Sequence, residues 1–260
     1  MKTLALLKVE GLSHNFNGLR ALDGVHLTVQ PGELVGLIGP NGAGKTTVFN
    51  LITGVYRPQR GDIRFAGQSV AGLPPHRITA LGIARTFQNI RLFKDLTALD
   101  NVRIAHFPRL GYGLKDALLR TAAFRKRERA IRQEAMELLN MFGLARYAHV
   151  PAKHLPYGDQ RRLEIARAVA SSPRLLLLDE PAAGMNPAEI GQLMELIRWL
   201  QRQFSLTIVV IEHQMRLVMG ICQRLVVIHF GRVLAEGKPD DIRRDPKVLE
   251  AYLGEEVAVP

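Results

Sequence analysis

The sequence predicts an α/β protein whose sheet is parallel and covered on both faces. Four short, continuously apolar segments support this prediction, because a strand buried on both faces shows no polar alternation. They are residues 34–38, 175–178, 207–211 and 225–228. A helical pattern of crossover length, 187–204, separates the second segment from the third, which predicts a right-handed βαβ unit.

The N-terminal part of the chain predicts antiparallel strands instead. Residues 7–9 are followed by a polar, turn-rich stretch over 13–18, and apolar residues then alternate over 25–29. Residues 63–65, flanked by glycines, predict one more antiparallel strand. We therefore expect an antiparallel β portion before and around the first buried strand.

Strand signals vanish from about residue 88 to 170, and helical signals replace them. Residues 130–139 place four apolar side chains on one face of an amphipathic helix. They are Ile131, Ala135, Leu138 and Leu139. The middle of the chain is thus predicted to be a helical insertion in the α/β core.

Composition excludes several classes of protein. Of the 260 residues, 47% are hydrophobic and 23% are charged, which excludes a disordered chain. A single cysteine, Cys222, excludes a disulfide framework and a cysteine-based zinc site. No apolar run approaches the eighteen or so residues that span a bilayer.

The charge balance favours polyanionic partners. Lysine and arginine number 35 against 24 acids, a net charge of +11, which suits nucleotides, nucleic acid or an anionic membrane surface. Within residues 120–132, six cations face one acid, Glu128. A solvated helix face and a membrane or RNA contact are both open for this stretch.

A glycine-rich loop between a strand and a helix predicts phosphate binding. It matches G-x-x-x-x-G-K-[ST], the P-loop pattern in which backbone N–H groups and a helix N-terminus surround an anion. Lys45 is expected to reach the β- and γ-phosphates, and the Thr46 hydroxyl to bind Mg²⁺. The predicted ATP-binding residues of the loop are Gly39, Pro40, Asn41, Gly42, Ala43, Gly44, Lys45, Thr46 and Thr47.

Two acids end the apolar segment at 175–178. Asp179 at the strand's carboxyl end fits a direct or second-sphere Mg²⁺ ligand. Glu180, the next residue, is placed to orient or deprotonate a water molecule. Together with the glycine-rich loop, these acids predict a nucleotide-hydrolysing site.

Four further elements make the site more specific: Gln88 in Arg-Thr-Phe-Gln, Leu-Pro-Tyr-Gly-Asp-Gln-Arg-Arg at 155–162, the segment 181–186 directly after Glu180, and His213. With the phosphate loop, this ordered set resembles the nucleotide-binding subunit of an ATP-binding cassette (ABC) transporter along essentially the whole chain. The segment 155–167, the segment 179–187, Ile-Glu-His at 211–213 and the ending Ala-Tyr-Leu-Gly are most similar to the ATPases of branched-chain amino-acid importers. A stretch over 105–129 resembles an insertion of the longer of their two ATPase subunits.

The resemblance implies a fold and a domain organisation. The fold is a P-loop NTPase (RecA-like) core with an N-terminal antiparallel β-subdomain and an inserted α-helical subdomain. Residues 1–260 would form one nucleotide-binding domain. Its ATPase core would comprise 1–87 and 171–260, and its helical subdomain 88–170.

The resemblance also implies roles for particular residues. Gln88 contacts Mg²⁺ or water and senses the γ-phosphate, and His213 hydrogen-bonds that phosphate, so both join Glu180 as catalytic residues. Phe16 is similar in position to the aromatic residue that stacks on adenine, with plain packing as the alternative. The signature residues, which contact the ATP of a second subunit, are Pro156, Tyr157, Gly158, Asp159 and Gln160. The Mg²⁺ ligands are Thr46, Gln88 and Asp179.

This sequence departs from the family pattern at three positions. The family signature reads Leu-Ser-Gly-Gly-Gln, but Pro156 replaces its serine and Tyr157 its first glycine. Proline has neither a hydroxyl nor an N–H, so this signature should bind a γ-phosphate less completely. Asn186 stands where the family usually has aspartate.

The function implied is ATP hydrolysis, with ATP and Mg²⁺, coupled to import of branched-chain amino acids across the inner membrane. Expected partners are a second ATPase subunit (identical or different), transmembrane permease subunits and, indirectly, a substrate-binding protein; nucleic acid is not expected. The chain would lie peripherally on the cytoplasmic membrane face, contacting the permease through residues 90–94, for which local packing is the alternative. The alternatives are a soluble ATPase of the same fold in translation, repair or cofactor assembly, and a transporter subunit for another cargo.

Overall fold

The structure is a computed structural model that describes residues 4–107 and 110–256. It contains two compact units. The first comprises the described residues up to Ile78 and from Arg174 onward, and the second runs from Thr79 to Pro173. The predicted subdomain boundaries, at 87/88 and 170/171, concern functional subdomains and stay a prediction. Pro108 and Arg109 of the predicted insertion lie outside the described residues.

The first unit contains an antiparallel sheet with the strand order β2-β1-β4-β5. Its strands are β1 (Leu7–Phe16), β2 (Leu19–Val29), β4 (Arg60–Phe65) and β5 (Gln68–Ser69). The turn within the turn-rich stretch predicted over 13–18 is confined to its last two residues, because β1 continues to Phe16. Asn17 and Gly18 alone form the turn, and both have positive φ, 44° and 90°. A two-residue Asn-Gly turn of this kind matches the twist of a hairpin, so the strands extend up to it.

A second sheet of the first unit has the strand order β10-β9-β3-β8-β7. Neighbours from β9 to β7 are parallel, and β10 is antiparallel to β9. Every residue of β3, β7 and β8 is buried, which confirms the prediction of parallel strands covered on both faces. The strands are β3 (Leu34–Ile38), β7 (Leu175–Asp179), β8 (Thr207–Ile211), β9 (Arg224–His229) and β10 (Arg232–Gly237).

The helices of the first unit connect these strands. The crossover helix α7 joins β7 to its parallel neighbour β8, as the sequence predicts. The others lie after β3, after β8 and at the C-terminal end. They are α1 (Lys45–Ile52), α7 (Pro187–Gln203), α8 (Met215–Ile221), α9 (Pro239–Arg244) and α10 (Pro246–Glu256). A further helix, α2 (Pro75–Leu81), spans the boundary to the second unit.

The second unit is largely helical, which confirms the prediction for this part of the chain. The predicted amphipathic face lies in α5, where Ile131, Ala135, Leu138 and Leu139 are the buried residues. The helix starts at Ala122, eight residues before the predicted segment. The strand and the α-helices of the second unit are β6 (Ile83–Arg85), α3 (Ala98–Ile104), α4 (Leu114–Leu119), α5 (Ala122–Met141) and α6 (Tyr157–Ala170).

One cation of the basic stretch on α5 pairs with an acid of the same unit, whereas the one acid of the stretch pairs with an arginine outside it. Arg127 pairs with Glu134 at 2.7 Å, and Glu128 pairs with Arg103 at 2.8 Å. Several other cations, including Arg125 and Arg132, are exposed. The two sequence-based alternatives for this stretch therefore both stay open.

The one cysteine lies in the core of the first unit. Cys222 is 7% exposed, and a Cβ built on Gly36 of β3 would lie 3.1 Å from its Sγ. Burial raises the pKa of the Cys222 thiol to about 12. Within the described part of the chain, no helix combines the length and apolar character that crossing a membrane requires.

Candidate functional site

Strand order brings three predicted loops to one edge of the parallel sheet. Strand β3 lies next to β8, and β8 lies next to β7. In register, Ile211 at the end of β8 is opposite both Leu37 and Asp179. The phosphate loop, the two acids and His213 follow the carboxyl ends of these strands, which is where open α/β sheets bind ligands.

The phosphate loop requires glycine at two crowded positions. Gly39 has φ +146°, and a Cβ there would lie 2.0 Å from the carbonyl oxygen of Ile228. Gly44 has φ +105°, and its Cβ would lie 2.7 Å from the carbonyl oxygen of Ala21. No side chain fits at either position without displacing backbone, so the loop geometry depends on these glycines.

Lys45 folds back over the same loop. Its ammonium donates hydrogen bonds to the carbonyl oxygens of Gly39, at 2.6 Å, and Pro40, at 2.7 Å. The N-cap of α1 is Gly44, so no side chain caps the first amides of that helix. Thr46 is exposed beside it. Ammonium, uncapped helix start and hydroxyl together suit a polyphosphate.

The acidic pair differs in burial and backbone conformation. Asp179 is 2% exposed at the end of β7. Glu180 has φ 46°, a left-handed conformation that side chains other than glycine, asparagine and aspartate seldom adopt, and its N–H donates to Ile211 at 2.9 Å. Such local strain is typical of functional sites.

Glu180 faces His213. The carboxylate Oε2 and the imidazole Nδ1 are 3.8 Å apart, beyond hydrogen-bond distance but close enough for an ion pair with a protonated imidazole. The Glu180 side chain is 17% exposed and that of His213 is 53% exposed. A group about the size of a water molecule or phosphate oxygen can therefore approach both.

The sequence analysis missed Glu212, which holds two of these loops. It is fully buried, and its Oε1 accepts the N–H of Ala182 at 2.7 Å. Its Oε2 accepts the N–H groups of His213, at 3.0 Å, and Gln214, at 3.2 Å. Burial raises the pKa of the Glu212 carboxyl, although these backbone bonds oppose that shift. A glutamate directly after an apolar strand was the available signal.

The donor set fits a magnesium ion that arrives with a nucleotide. Among the described residues, no group of three or more His, Cys, Asp and Glu side chains could hold a metal. The first unit offers instead the carboxylate of Asp179 at the end of β7 and the hydroxyl of Thr46 at the start of α1. Mg²⁺ is commonly bound by one or two protein oxygens together with phosphate oxygens, so this set is sufficient.

Phe16 lies at the end of β1 and is 37% exposed. Its ring makes edge contacts with His14, at 4.6 Å between centroids, and Tyr56, at 5.2 Å. The sequence analysis did not include His14 and Tyr56, which stack on one another. The role of Phe16 in adenine stacking stays a prediction.

Gln88 and the signature residues lie in the second unit. Gln88 is exposed after β6. Pro156 is the N-cap of α6 and makes no side-chain cap, and Tyr157 is 48% exposed. Gln160 donates from its side chain to the carbonyl of Leu155 at 2.8 Å, which closes the signature turn.

Asn186 caps helix α7. Its side-chain oxygen accepts the N–H groups of Ala188 and Glu189, each at 3.0 Å, and its own N–H donates to the Glu189 carboxylate at 2.8 Å. Aspartate would provide the same acceptor, so the departure from the family pattern at this position preserves the local capping.

Comparison with known proteins shows the family to which the chain is related. Residues 22–183 match the family model described as "ABC transporter", and residues 232–258 match one described as "Branched-chain amino acid ATP-binding cassette transporter". The chain is 48% identical over 250 residues to the high-affinity branched-chain amino acid transport ATP-binding proteins BraF of Pseudomonas aeruginosa and LivG of Escherichia coli. Each alignment covers 96% of this chain and 98% of the relative.

Solved structures agree with these sequence matches. The ATP-binding cassette MJ1267 of an ABC transporter, in its ADP conformation, superposes with a TM-score of 0.84 at 30% identity, covering 97% of this chain and all of that one. The dimeric cassette MJ0796, bound to ADP and phosphate, gives a TM-score of 0.75 at 27% identity over 90% of this chain and 98% of that one. The predicted fold class and resemblance are confirmed: the chain belongs to the ABC transporter family, as a nucleotide-binding subunit with ATPase activity.

Proposed function

We propose that this chain hydrolyses ATP to drive import of branched-chain amino acids. Supporting this cargo are the 48% identity to BraF and LivG and the match of residues 232–258 to a branched-chain amino-acid transporter model. An ATPase subunit is not expected to contact the cargo itself. Its contribution is a cycle of nucleotide binding and hydrolysis.

The observation that carries the catalytic part is the convergence of Glu180 and His213 beside the phosphate loop. Lys45 binds the β- and γ-phosphates, exchanging its present contacts with two loop carbonyls for charged phosphate oxygens. Glu180 orients the attacking water and accepts its proton, and His213 donates a hydrogen bond to the γ-phosphate. Bound Mg²⁺, held by Thr46, Asp179 and Gln88, would neutralise charge on the phosphates.

Two ATPase subunits are needed in this proposal. The signature residues 156–160 contact the nucleotide of a second subunit, identical or different, through the start of α6. Pro156 has no N–H, so this chain presents fewer donors there than the family pattern provides. The composite site formed by this signature should therefore stabilise a bound γ-phosphate less than the site built on Lys45 with a complete signature opposite.

The proposed location is the cytoplasmic face of the inner membrane, bound to permease subunits. Phe93 is 50% exposed on the segment after Gln88, and Arg91 and Lys94 beside it are exposed as well. A large exposed apolar side chain among cations is typical of a protein interface. We assign this segment, residues 90–94, to the permease contact.

Reconstitution tests the whole proposal. The chain is co-expressed with candidate permease subunits from the same organism, purified from membranes and assayed for ATPase activity with a substrate-binding protein. The assay compares that protein loaded with leucine, loaded with a charged amino acid, and unloaded. Leucine-specific stimulation is expected. Stimulation by another cargo would contradict the branched-chain assignment, and failure to co-purify with any permease would contradict the transporter role.

A further inference from the structure

A buried arginine of α6, the signature helix, bonds to the backbone of Phe87 and Gln88. Arg161 lies in the first turns of α6 and is fully buried. One guanidinium nitrogen, Nη1, donates to the carbonyl oxygen of Phe87 at 2.8 Å, and the other, Nη2, donates to that of Gln88 at 2.8 Å. The planar fork of arginine suits two adjacent acceptors in a way that a lysine ammonium does not.

Glu164, one turn further along α6, completes the arrangement. It is 1% exposed, and its Oε2 accepts Nη1 of Arg161 at 3.0 Å. Its Oε1 accepts the N–H of Arg91 at 3.0 Å and lies 3.5 Å from the N–H of Phe87. One ion pair of the signature helix therefore bonds to both ends of the segment 87–91.

The Phe87 side chain fixes the same segment from another side. The guanidinium groups of Arg85 and Arg91 lie 4.8 and 4.1 Å from the centre of its ring. Cations over an aromatic face at these distances are attracted to it. The segment is thus held through its carbonyls, its N–H groups and its one aromatic ring.

Stability alone does not explain this ion pair. Burying two charges costs desolvation energy, and apolar replacements of similar size are often neutral or stabilising. Here Nε of Arg161 is also buried without a hydrogen-bond partner among the described residues. The pair is therefore better explained by the backbone segment that it positions.

We propose that Arg161 and Glu164 are positioning residues that couple the signature segment, residues 155–160, to Gln88 and the segment 90–94. This inference rests on the proposed function, because it assigns Gln88 to γ-phosphate sensing and 90–94 to the permease. Both charged residues belong to the helix that begins with the signature. A shift of the Gln88 backbone therefore moves the start of α6 with it, and permease movement reaches both nucleotide contacts together.

The test replaces the ion pair without leaving a single buried charge. In the double variant Arg161→Met/Glu164→Leu, apolar side chains of similar size fill the site but cannot bond to residues 87, 88 and 91. The reconstituted complex is assayed for ATPase activity with leucine-loaded and unloaded binding protein, and for its melting temperature. The matched control is Arg132→Met, at an exposed arginine of α5 in the same unit.

We expect the double variant to fold with a lower melting temperature, because backbone groups of residues 87, 88 and 91 lose their partners, and to lose about 5- to 10-fold of its stimulation by leucine-loaded protein. The loss should fall on kcat of the stimulated reaction. Arg132→Met should match the wild type in both measurements. Wild-type stimulation in the double variant would overturn the proposal.

If the double variant does not fold, Arg161→Lys tests the proposal instead. Lysine keeps the charge and can bond to one carbonyl, so we expect folding with the same loss of stimulation. Full rescue by lysine would show that the fork geometry is not needed and would overturn the proposal.

A cargo-independent measurement separates this proposal from the function proposed above. Hydrogen exchange is followed in the isolated chain, in segments 87–91 and 155–160, as ATP is added. Both segments should gain protection together in the wild type and separately in the double variant. Joint protection in the double variant would overturn the coupling, whereas absence of leucine stimulation in the wild-type complex would overturn the transport assignment alone.

Discussion

The two units place polar residues in their interiors for different purposes. In the first unit, the parallel sheet supports the backbone; Asp179 and Glu180 lie at the end of β7, and Lys45 begins the helix after β3. In the second unit, little sheet is present, and buried side chains such as Asn101 and Arg161 bond to irregular backbone instead. The comparison teaches that a substitution at a strand end should affect chemistry, whereas one in the helical unit should affect structure first.

The largest effect on chemistry at a strand end of the first unit is expected for Glu180→Gln. Glutamine keeps the size of the side chain but cannot accept a proton, so hydrolysis should fall about 10²- to 10⁴-fold while nucleotide binding remains. The unfolding temperature should hardly change, because the sheet supports this position. ATPase assays, nucleotide-binding titrations and size-exclusion chromatography with ATP are the measurements, and an ATP-trapped dimer is expected.

Glu195→Gln is the matched control for this substitution. Glu195 is an exposed glutamate on α7 of the same unit, and its variant should keep wild-type turnover. Undiminished hydrolysis by Glu180→Gln would remove Glu180 from the catalytic role.

The largest effect on stability in the second unit is expected for Asn101→Ala. The buried Asn101 amide donates to the carbonyls of Phe93, Leu96 and Thr97 and accepts the N–H of Phe93 at 2.9 Å. Removing it leaves several buried polar groups without partners, so the free energy of unfolding should fall by about 3 kcal/mol. Denaturant titration measures this change.

Asn140→Ala, at an exposed asparagine of α5, is the control for that experiment. A surface substitution of this kind should change the free energy of unfolding by less than about 0.5 kcal/mol. Equal effects of the two alanine variants would mean that the Asn101 network does not stabilise the unit.

Glu212→Gln challenges the comparison, since Glu212 belongs to the first unit but acts like the buried residues of the second. A glutamine amide nitrogen would face at least one of the N–H donors of Ala182, His213 and Gln214, which displaces a loop. We expect turnover to fall about 10-fold through this misplacement, and stability to fall as well. ATPase assays and unfolding at several pH values test both.

Measuring unfolding at several pH values tests how the stability difference between the wild type and Glu212→Gln changes with pH. Because burial raises the pKa of Glu212, its contribution to stability is complete below the ordinary carboxyl pKa and declines as pH rises through the raised value. Glutamine has no such dependence. The stability deficit of the variant should therefore shrink as pH rises, and a deficit that grows would contradict this account.

The smallest expected effect concerns the cap of α7. Asn186→Ala removes the acceptor for two N–H groups and should lower the free energy of unfolding by about 1 kcal/mol. Asn186→Asp keeps the acceptor and should match the wild type within about 0.5 kcal/mol. Thermal unfolding of both variants distinguishes capping from other effects, and an aspartate variant as unstable as alanine would contradict it.

Much of the first unit could be predicted because its signals are local. Continuous apolar runs predicted the parallel strands, and the phosphate loop, Asp179, Glu180 and His213 follow directly from strand ends. The catalytic and binding roles of these residues stay predictions until the variants are measured. The end of β1 was missed because Ser13 and Asn15 are polar and its turn needs only two residues.

Buried polar residues could not be predicted in the same way. In the sequence, Arg161, Glu164 and Glu212 have the appearance of ordinary surface charges, since their partners are backbone atoms up to 77 positions away. The start of α5 was missed for a related reason: residues 122–129 carry mainly charges and no apolar period. Three-dimensional pairing, rather than composition, decides which charges are inside.

The burial of Cys222 has a practical consequence. Cys222 is buried, and burial raises its pKa to about 12, so this thiol should react slowly with alkylating reagents in the folded chain. The wild-type chain can therefore be used for site-directed labelling with little reaction at its native cysteine. A single cysteine introduced near Phe93 or Tyr157 would be the sole reactive thiol, and it could carry a fluorophore or cross-linker to either face without any prior removal of native cysteines.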